Sequence, residues 1–332
     1  MRKRFLVAAA VILTGTLFFA FRAPMRRMAR PPASAPHTVS GLRPAVDVAA
    51  HYSAVFGVAP TPDDGAVWST SWDDSLHLWN LTSGTPIRTL SPSFGKGSGL
   101  AVDEKTGRVA AGGTAAIKVW TKDYALERTI PVTSQQTGLV FSRDGARLFA
   151  GSFDGTVHAY DVATGALLQT MTGHRSRVLS IDISPDGGTL VSAGDDGTIR
   201  VWRTKDGTLV KSINAHNEPI SCVRIGPDGQ AIATASDDGT AGLFLRDFGN
   251  RILTFRPGDD EVWSVAFDPN GRTIAVGGKS GPIYLVSAMS GTPLRTLSGH
   301  ERGTLALAFS HDGQTLVSGG GDQHVRIWRG FE

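Results

Sequence analysis

Short apolar stretches alternate with turns rich in glycine and aspartate along most of the chain. Residues 173–202 show the alternation most clearly, because apolar and β-branched runs at 178–183 and 189–193 flank a Pro-Asp-Gly-Gly turn. A third run, 199–202, follows Asp-Asp-Gly and ends on a tryptophan. Runs of this length and composition between such turn residues predict antiparallel strands joined by tight turns. The pattern therefore predicts three strands in this stretch.

The same pattern recurs along the chain at a nearly constant interval. Its copies are separated by 41, 40, 42, 42, 42 and 42 residues. The residues that close the third strand of each copy are, in order, Trp79, Trp120, Tyr160, Trp202, Phe244, Val286 and Trp328. A repeat of roughly 40–45 residues with turn, strand, turn, strand and a terminal Trp resembles the WD40 family, here over residues 43–332. The resemblance implies an all-β fold, a seven-bladed β-propeller with one blade for each copy.

The two ends of the repeat region complement each other. The last copy stops at Trp328, with four residues after it, and so lacks a fourth strand of its own. Residues 43–48 occupy the place before His51 that residues 209–213 occupy before His216. We therefore expect residues 43–48 to form the outer strand of the seventh blade, which closes the ring and leaves no open edge.

An apolar run precedes the repeats. Residues 5–21 are uncharged and strongly apolar, and they follow a Met-Arg-Lys-Arg start. As a helix, 17 residues would span about 26 Å, slightly less than a ~30 Å hydrocarbon core but more than a usual cleavable signal. We expect a signal-anchor or transmembrane segment at residues 1–30, a flexible linker at 31–42 and the propeller at 43–332.

Three Lys and Arg residues before the run and four after it give almost no orientation by the positive-inside rule. The segment resembles a bacterial signal-anchor, so we expect a membrane-anchored protein with its propeller on the extracytoplasmic, periplasmic side. A soluble exported protein after signal cleavage and a mitochondrial presequence remain open alternatives.

The distribution of charge changes the picture of possible partners. The formal net charge is +3, but seven of the 33 basic residues lie before residue 43 in a segment without Asp or Glu. The remaining 26 basic residues face all 30 acidic ones, so the repeat region is about −4. A nucleic-acid platform would carry its basic surplus on the folded domain, and this distribution disfavours a nucleic-acid partner.

Other chemistry is sparse in the sequence. The one cysteine, Cys222, cannot form an intrachain disulfide, which fits a reducing compartment and an exported protein alike, and its mid-strand position predicts a small core residue. The nine histidines include no pair with metal-ligand spacing, and neither a haem-attachment motif nor a phosphate-binding glycine loop is present. We therefore expect no metal and no cofactor.

A His, Ser/Thr, Asp set recurs at fixed distances of 28, 10 and 6 residues before the closing residue in four copies. With the closing residue, the sets are His51, Ser69, Asp73 and Trp79; His174, Ser192, Asp196 and Trp202; His216, Thr234, Asp238 and Phe244; and His300, Ser318, Asp322 and Trp328. A catalytic triad should occur once, whereas these sets recur with the repeat. They resemble the structural tetrad of WD40 proteins, in which indole N–H donates, carboxylate accepts, and hydroxyl and imidazole relay between them. The second, third and sixth copies lack the set, and we expect those blades to rely on packing alone.

In WD40 proteins, residues next to the tetrad Asp and at the start of the innermost strand form the rim of one face. Carried onto this chain by the resemblance, the candidate partner-binding rim is Phe56, Trp72, Phe153, Arg177, Leu179, Asp195, Asp237, Glu261, Trp263 and Lys279. An exposed aromatic cluster edged by charge predicts a protein-binding surface. The alternative is that Phe56 and Trp263 only plug the channel.

These features predict a non-enzymatic scaffold for protein–protein interaction, presented by a propeller at or beyond a membrane, with a protein or peptide partner. The alternative function is a ligand-binding or enzymatic propeller that uses its central channel.

Overall fold

The predicted runs fold as hairpins, and the turn at residues 184–188 shows why. In the computed structural model, Gly187 has a φ of +71°, a conformation that residues with a Cβ rarely adopt. Its N–H donates to the carbonyl of Ser184 (2.8 Å), and the Asp186 carboxylate accepts the N–H of Gly188 (2.8 Å). The turn residues thus satisfy their own polar groups and return the chain antiparallel.

The structure describes residues 42–90, 93–247, 249–258 and 260–331. Within these ranges, 28 strands form seven four-stranded antiparallel sheets, the blades of the propeller. From innermost to outermost strand, the blades are: blade 1, β2 (Val55–Pro60), β3 (Ala66–Ser71), β4 (Leu76–Asn80), β5 (Pro86–Leu90); blade 2, β6 (Gly99–Val102), β7 (Val109–Gly112), β8 (Ala116–Trp120), β9 (Leu126–Pro131); blade 3, β10 (Gln136–Phe141), β11 (Arg147–Ser152), β12 (Thr156–Asp161), β13 (Leu167–Thr172); blade 4, β14 (Val178–Ile183), β15 (Thr189–Gly194), β16 (Thr198–Arg203), β17 (Leu209–Asn214); blade 5, β18 (Ile220–Ile225), β19 (Ala231–Ser236), β20 (Ala241–Leu245), β21 (Arg251–Phe255); blade 6, β22 (Val262–Phe267), β23 (Thr273–Gly278), β24 (Ile283–Ser287), β25 (Pro293–Leu297); and blade 7, β26 (Thr304–Phe309), β27 (Thr315–Gly320), β28 (His324–Arg329), β1 (Val46–Ala49).

The seven-bladed all-β fold is therefore confirmed, and the strands predicted in blade 4 agree with the observed ones to within one residue. We call the face where the innermost strands begin the upper face and the face where they end the lower face.

The core lies between blades. Trp202 of blade 4, for example, is buried in one cluster with Phe149 and Met171 of blade 3. Full burial of an aliphatic or aromatic side chain contributes about 1.5–3 kcal/mol. Each blade therefore depends on both of its neighbours for stability.

Strand β1 closes the ring as predicted. It pairs antiparallel with β28, with Val46 opposite Ile327 and Ala49 opposite His324. The predicted start at residue 43 is wrong: the ladder begins with the N–H of Ala45, which donates to the Ile327 carbonyl (2.8 Å). Pro44 precedes it and has no N–H to offer.

Side chains reinforce this pairing. The Asp47 carboxylate of β1 accepts a hydrogen bond from Arg326 Nε of β28 (3.0 Å) and lies 2.5 Å from Nδ1 of His324. Val46 and Val48 pack against a cluster that contains Val325 and Ile327.

A second connection crosses the closure on the lower face. His311 of blade 7 reaches Asp64 of blade 1 through Nδ1 (2.8 Å) and Glu104 of blade 2 through Nε2 (2.8 Å). The hydrogen bond to Glu104, together with the one to Asp64, raises the pKa of His311 to about 9. Near neutral pH, the charged imidazolium thus links three successive blades.

The predicted anchor, its apolar helix at residues 5–21 and almost all of the linker at 31–42 lie outside the described residues. Within the described ranges, the structure contains no helix of sufficient length and apolarity to span a bilayer.

Deletion of residues 43–50 should remove β1 and lower the melting temperature strongly. The loss of four ladder positions, two valines and the Asp47 contacts is on the order of 5 kcal/mol, or roughly 10 °C for a domain of this size. It also leaves β28 as an open edge, so we expect aggregation. Thermal unfolding with light scattering measures both effects.

Deletion of residues 31–38 removes the same number of residues from the linker and serves as the matched control, with an unchanged melting temperature. Equal melting temperatures for the two deletions would contradict a stabilising role for β1.

Candidate functional site

The tetrad of blade 4 is a continuous chain of hydrogen bonds. Trp202 Nε1–H donates to Ser192 Oγ (2.8 Å), Ser192 Oγ lies 2.7 Å from His174 Nε2, and His174 Nδ1 lies 3.0 Å from Asp196. Burial lowers the pKa of His174, so the imidazole is neutral near neutral pH. Because the carboxylate only accepts, the single N–H is placed at Nδ1 and donates to Asp196, and Nε2 accepts from the Ser192 hydroxyl.

Local structure brings these residues together. The Asp196 carboxylate also accepts the backbone N–H of Arg175 (3.0 Å) and the N–H of Thr198 (3.1 Å), which ties the loop before β14 to the turn before β16. Although burial acts to raise the pKa of Asp196, the Arg175 N–H, the Thr198 hydroxyl (2.7 Å) and His174 hold this pKa well below its ordinary value.

The other three sets repeat this geometry. His51, His216 and His300 lie 2.8 Å from Ser69, Thr234 and Ser318 through Nε2, and their Nδ1 atoms lie 2.7–3.1 Å from Asp73, Asp238 and Asp322. Trp79 and Trp328 donate to their serines at 2.9 and 3.0 Å.

In blade 5, Phe244 has no donor, and the Thr234 hydroxyl lies 3.3 Å from the carbonyl of Gly242. Burial lowers the pKa of all four histidines, that of His51 to about 4.

Blades 2 and 3 do not rely on packing alone, so that expectation is wrong. The Asp74 carboxylate accepts the N–H groups of Phe94 and Gly95 (2.9 and 3.0 Å) and so joins blade 1 to blade 2. In blade 3, the buried Gln136 side chain donates to the carbonyl of Ser134 (2.7 Å). Comparison of the copies at the tetrad positions did not predict these contacts, because Asp74 and Gln136 lie at other positions of the repeat.

Five of the ten predicted rim residues surround one cavity of about 350 Å³ at the upper mouth of the channel: Phe56, Trp72, Phe153, Leu179 and Trp263. The sequence missed its remaining lining residues, Ser98, Gln135, Thr137, Ser221 and Leu305. All five lie at the start of an innermost strand or in the loop before it, and this shared position could have identified them from the sequence. We call this cavity and its ten lining residues the upper mouth.

The aromatic rings are held in place. Phe56 and Trp72 stack with centroids 4.5 Å apart, and Lys96 Nζ lies 5.3 Å from the Trp72 ring centroid. Trp263 lies over Gly303, where an added Cβ would come within 2.5 Å of the ring. A cavity of about 400 Å³ continues below Phe56 and Trp263. These two rings therefore narrow the channel without filling it.

The charged rim residues lie beside the upper mouth, and most are paired. Arg177 Nε donates to Asp195, and Lys279 Nζ to Glu261 (2.8 Å). Glu261 also accepts from Trp263 Nε1 (3.2 Å). Asp237 accepts from the Ser221 hydroxyl (3.1 Å); burial raises its pKa, and the nearby carboxylates of Glu261 and Asp195 raise it further.

Two charged residues in the channel were missed entirely. Asp182 and Arg224 line the channel, each as the penultimate residue of its innermost strand. The signal was present in the sequence, since the same position in every other blade is Ala or Val.

No group of three or more His, Cys, Asp or Glu residues in the described ranges could hold a metal ion. Cys222 is buried, as its mid-strand position predicts.

The free energy of unfolding should fall between pH 6.5 and pH 4. Below pH 6.5 the unfolded chain protonates His51, whereas the folded protein does not until about pH 4. This one group then removes about 1.4 kcal/mol per pH unit, on the order of 3 kcal/mol in total. Urea unfolding at several pH values measures how steeply the free energy of unfolding depends on pH. We expect His51→Gln, whose amide keeps a donor and an acceptor, to reduce this slope by about 1.4 kcal/mol per pH unit.

His311→Gln is the matched control. The pKa of His311 is raised to about 9, so its contribution is complete below pH 6.5 and is lost as pH rises towards 9. This substitution should leave the acid slope unchanged and alter only the alkaline one. If the free energy of unfolding of His51→Gln falls below pH 6.5 as steeply as that of the wild type, His51 is not a buried neutral group.

Three curated proteins of Arabidopsis thaliana are similar to parts of the chain. Autophagy-related protein 16 is 31% identical over 39% of this chain and 26% of its own length. WD repeat-containing protein VIP3 is 31% identical over 40% of this chain and 47% of its own length, and Protein ROOT INITIATION DEFECTIVE 3 is 30% identical over 35% and 28%. The chain thus spans between about a quarter and a half of the length of these relatives.

The family described as WD domain, G-beta repeat matches five segments, at residues 127–161, 165–203, 207–244, 249–281 and 291–329. Together the segments cover more than half of the sequence and follow the period of the blades. The chain belongs to the WD40 repeat family.

Proposed function

We propose that the protein is a non-enzymatic, protein-binding propeller and that the upper mouth is its binding surface. The observation that carries this proposal is the convergence of four aromatic side chains on one open cavity of about 350 Å³. Phe56, Trp72, Phe153 and Trp263 come from three blades, so the cavity exists only in the closed ring. Large aromatic residues around a pocket are typical of the energetic centre of a protein interface.

The arrangement of polar groups suggests what the partner offers. The cavity has room for an apolar or aromatic side chain. Ser98 and Thr137 already donate to the carbonyls of Gln136 and Val178 (3.0 and 2.7 Å). The side-chain carbonyl of Gln135, whose Nε2 donates to Ser98 (3.2 Å), can accept from a peptide N–H. Asp195 Oδ1 is buried and has no hydrogen-bond partner within the described part of the chain. A partner with a Lys or Arg side chain beside its apolar anchor would complement Asp195 and Asp237.

Membership of the WD40 repeat family supports a role in interaction, and one of the relatives is also named for its WD repeats. Their names do not identify a partner for this chain, which matches only part of each.

We also propose that residues 5–21 hold the propeller at a membrane, on its extracytoplasmic side. The support is the uncharged apolar run behind a basic start. The linker at residues 31–42 would separate the propeller from the bilayer.

The double substitution Trp72→Ala and Trp263→Ala should abolish capture of partner proteins from the native host while the thermal unfolding curve stays cooperative. Truncation of hot-spot aromatics typically weakens binding by 2 kcal/mol or more, about 30-fold. Quantitative affinity capture with tagged proteins measures the loss.

Leu168→Ala with Ile252→Ala is the matched control, because both side chains are about half exposed on outermost strands away from the channel. Retention of the same partners by the Trp72/Trp263 variant would contradict the proposed surface.

Expression in a bacterial host tests the membrane proposal. The full chain should remain in the membrane pellet after alkaline carbonate washing, its propeller should be cleaved by protease added outside the inner membrane, and deletion of residues 5–21 should release it to the soluble fraction. A full chain found soluble, or shortened by removal of its first residues, would contradict a permanent anchor.

A further inference from the structure

The central channel has one position where the seven blades are not alike. The penultimate residue of every innermost strand lines the channel, and these residues are Ala59, Ala101, Val140, Asp182, Arg224, Ala266 and Ala308. Five are small and apolar, whereas the neighbouring blades 4 and 5 contribute one acid and one base. A charge that occurs once in a sevenfold repeat is not required by the blade itself.

Arg224 uses only one of its three nitrogens within the protein. Its Nη1 donates to the carbonyl of Val223 (2.8 Å) and to Ser180 Oγ (3.1 Å). Within the described ranges, Nε and Nη2 have no hydrogen-bond partner. These two nitrogens form the edge of the guanidinium that presents two parallel N–H groups, the arrangement that matches both oxygens of a carboxylate.

Asp182 does not occupy this edge. Its Oδ1 accepts the N–H of Ile183 (2.8 Å) and its Oδ2 the N–H of Ile225 (2.7 Å), so the carboxylate joins the ends of β14 and β18. Arg143, at the lower mouth, donates through Nε and Nη2 to the carbonyls of Ser184 and Ile183 (3.2 Å each). Of these two arginines, only Arg224 keeps its two-donor edge available.

The space beside Arg224 suits a ligand with an apolar body. The channel cavity has a volume of about 400 Å³, within the usual range for small-molecule sites. At the depth of Arg224 the five blades other than blades 4 and 5 contribute only alanine and valine side chains, which offer no hydrogen bonds, whereas serines and threonines lie above this level and Glu104 and His311 below it. An N–H pair directed into such a space needs an acceptor that arrives from outside the chain.

We propose that the channel binds a carboxylate carried on an apolar stem and that Arg224 receives it through Nε and Nη2. The site lies three residues along β18 from Ser221 of the upper mouth, roughly 10 Å deeper at about 3.3 Å per residue. It does not depend on the protein-binding role proposed for that surface. The carboxylate can belong to a free aliphatic acid or to the C-terminal residue of an extended peptide, which share this chemistry.

Calorimetric titration of the full chain, in a buffer with about 0.15 M sodium chloride to screen distant charges and without carboxylate or phosphate ions, tests the proposal. The probes are hexanoate and its neutral analogue hexanamide, and the tripeptide Ala-Ala-Leu with a free or an amidated C-terminus. We expect saturable one-to-one binding of at least one acid, at least tenfold tighter than that of its amide. Tighter binding of hexanoate identifies a free acid as the source of the carboxylate, and tighter binding of the tripeptide identifies a peptide terminus.

Two substitutions assign the binding to Arg224. Arg224→Met keeps the length of the side chain without the charge and should weaken acid binding at least tenfold. Arg224→Lys keeps the charge and a donor for Ser180 but loses the paired edge, so it should weaken binding severalfold. The second variant preserves the test if the first one fails to give a cooperative thermal melt.

Arg143→Met is the matched control, because it removes a nearby positive charge whose Nε and Nη2 donors are already used. It should leave acid affinity within about twofold of the wild-type value, as expected for a charge that acts only at a distance through solvent. The proposal is overturned if neither acid binds, if acids and amides bind equally, or if Arg143→Met weakens binding as much as the Arg224 variants do.

Discussion

Closure of the ring is the constraint on which the rest of this structure depends. Because apolar side chains are buried between blades rather than within them, an open ring would expose two blade faces and an unpaired strand edge. The pairing of β1 with β28 prevents this exposure. Arg326 donates to Asp47 of β1 and also to the tetrad residue Asp322 (2.8 Å), so side chains connect β1 to the tetrad of blade 7. The channel and the upper mouth are products of closure, since each is lined by strands or loops from several blades.

Much of this architecture could be predicted from the sequence, because its determinants are local and repeated. Turn residues such as Gly187 and the spacing of the closing aromatics define the blades without reference to distant contacts. β1 was identified by its place in the period; its start was wrong, since Pro44 delays the ladder, and its end differs by one residue. Recurrence also predicted that the His, Ser/Thr and Asp residues are neighbours, and the geometry around Ser192 and its equivalents brings them together.

The remaining features could not be predicted, because they depend on which blades face one another. Aligning the repeats shows that Asp182 and Arg224 stand where the other copies have Ala or Val, but only the arrangement of seven strands around one axis shows that this position lines a channel. His311 joins the turns of three blades at the two ends of the chain, a contact that spacing within a repeat does not encode. The rim aromatics were located by position, but the stacking of Phe56 on Trp72 depends on side-chain orientation within blade 1, and the support of Trp263 by Gly303 depends on the packing of blade 6 against blade 7.

The origin of blade 7 from both ends of the chain has a consequence for the order of folding. The hairpins of the first six blades join residues close in sequence and can form as soon as they are synthesised. The seventh sheet joins Asp47 to Arg326, 279 residues later, so it cannot be completed until blade 7 has been made. Until then β1 has no partner strand. During this interval β1 is exposed to incorrect strand pairing.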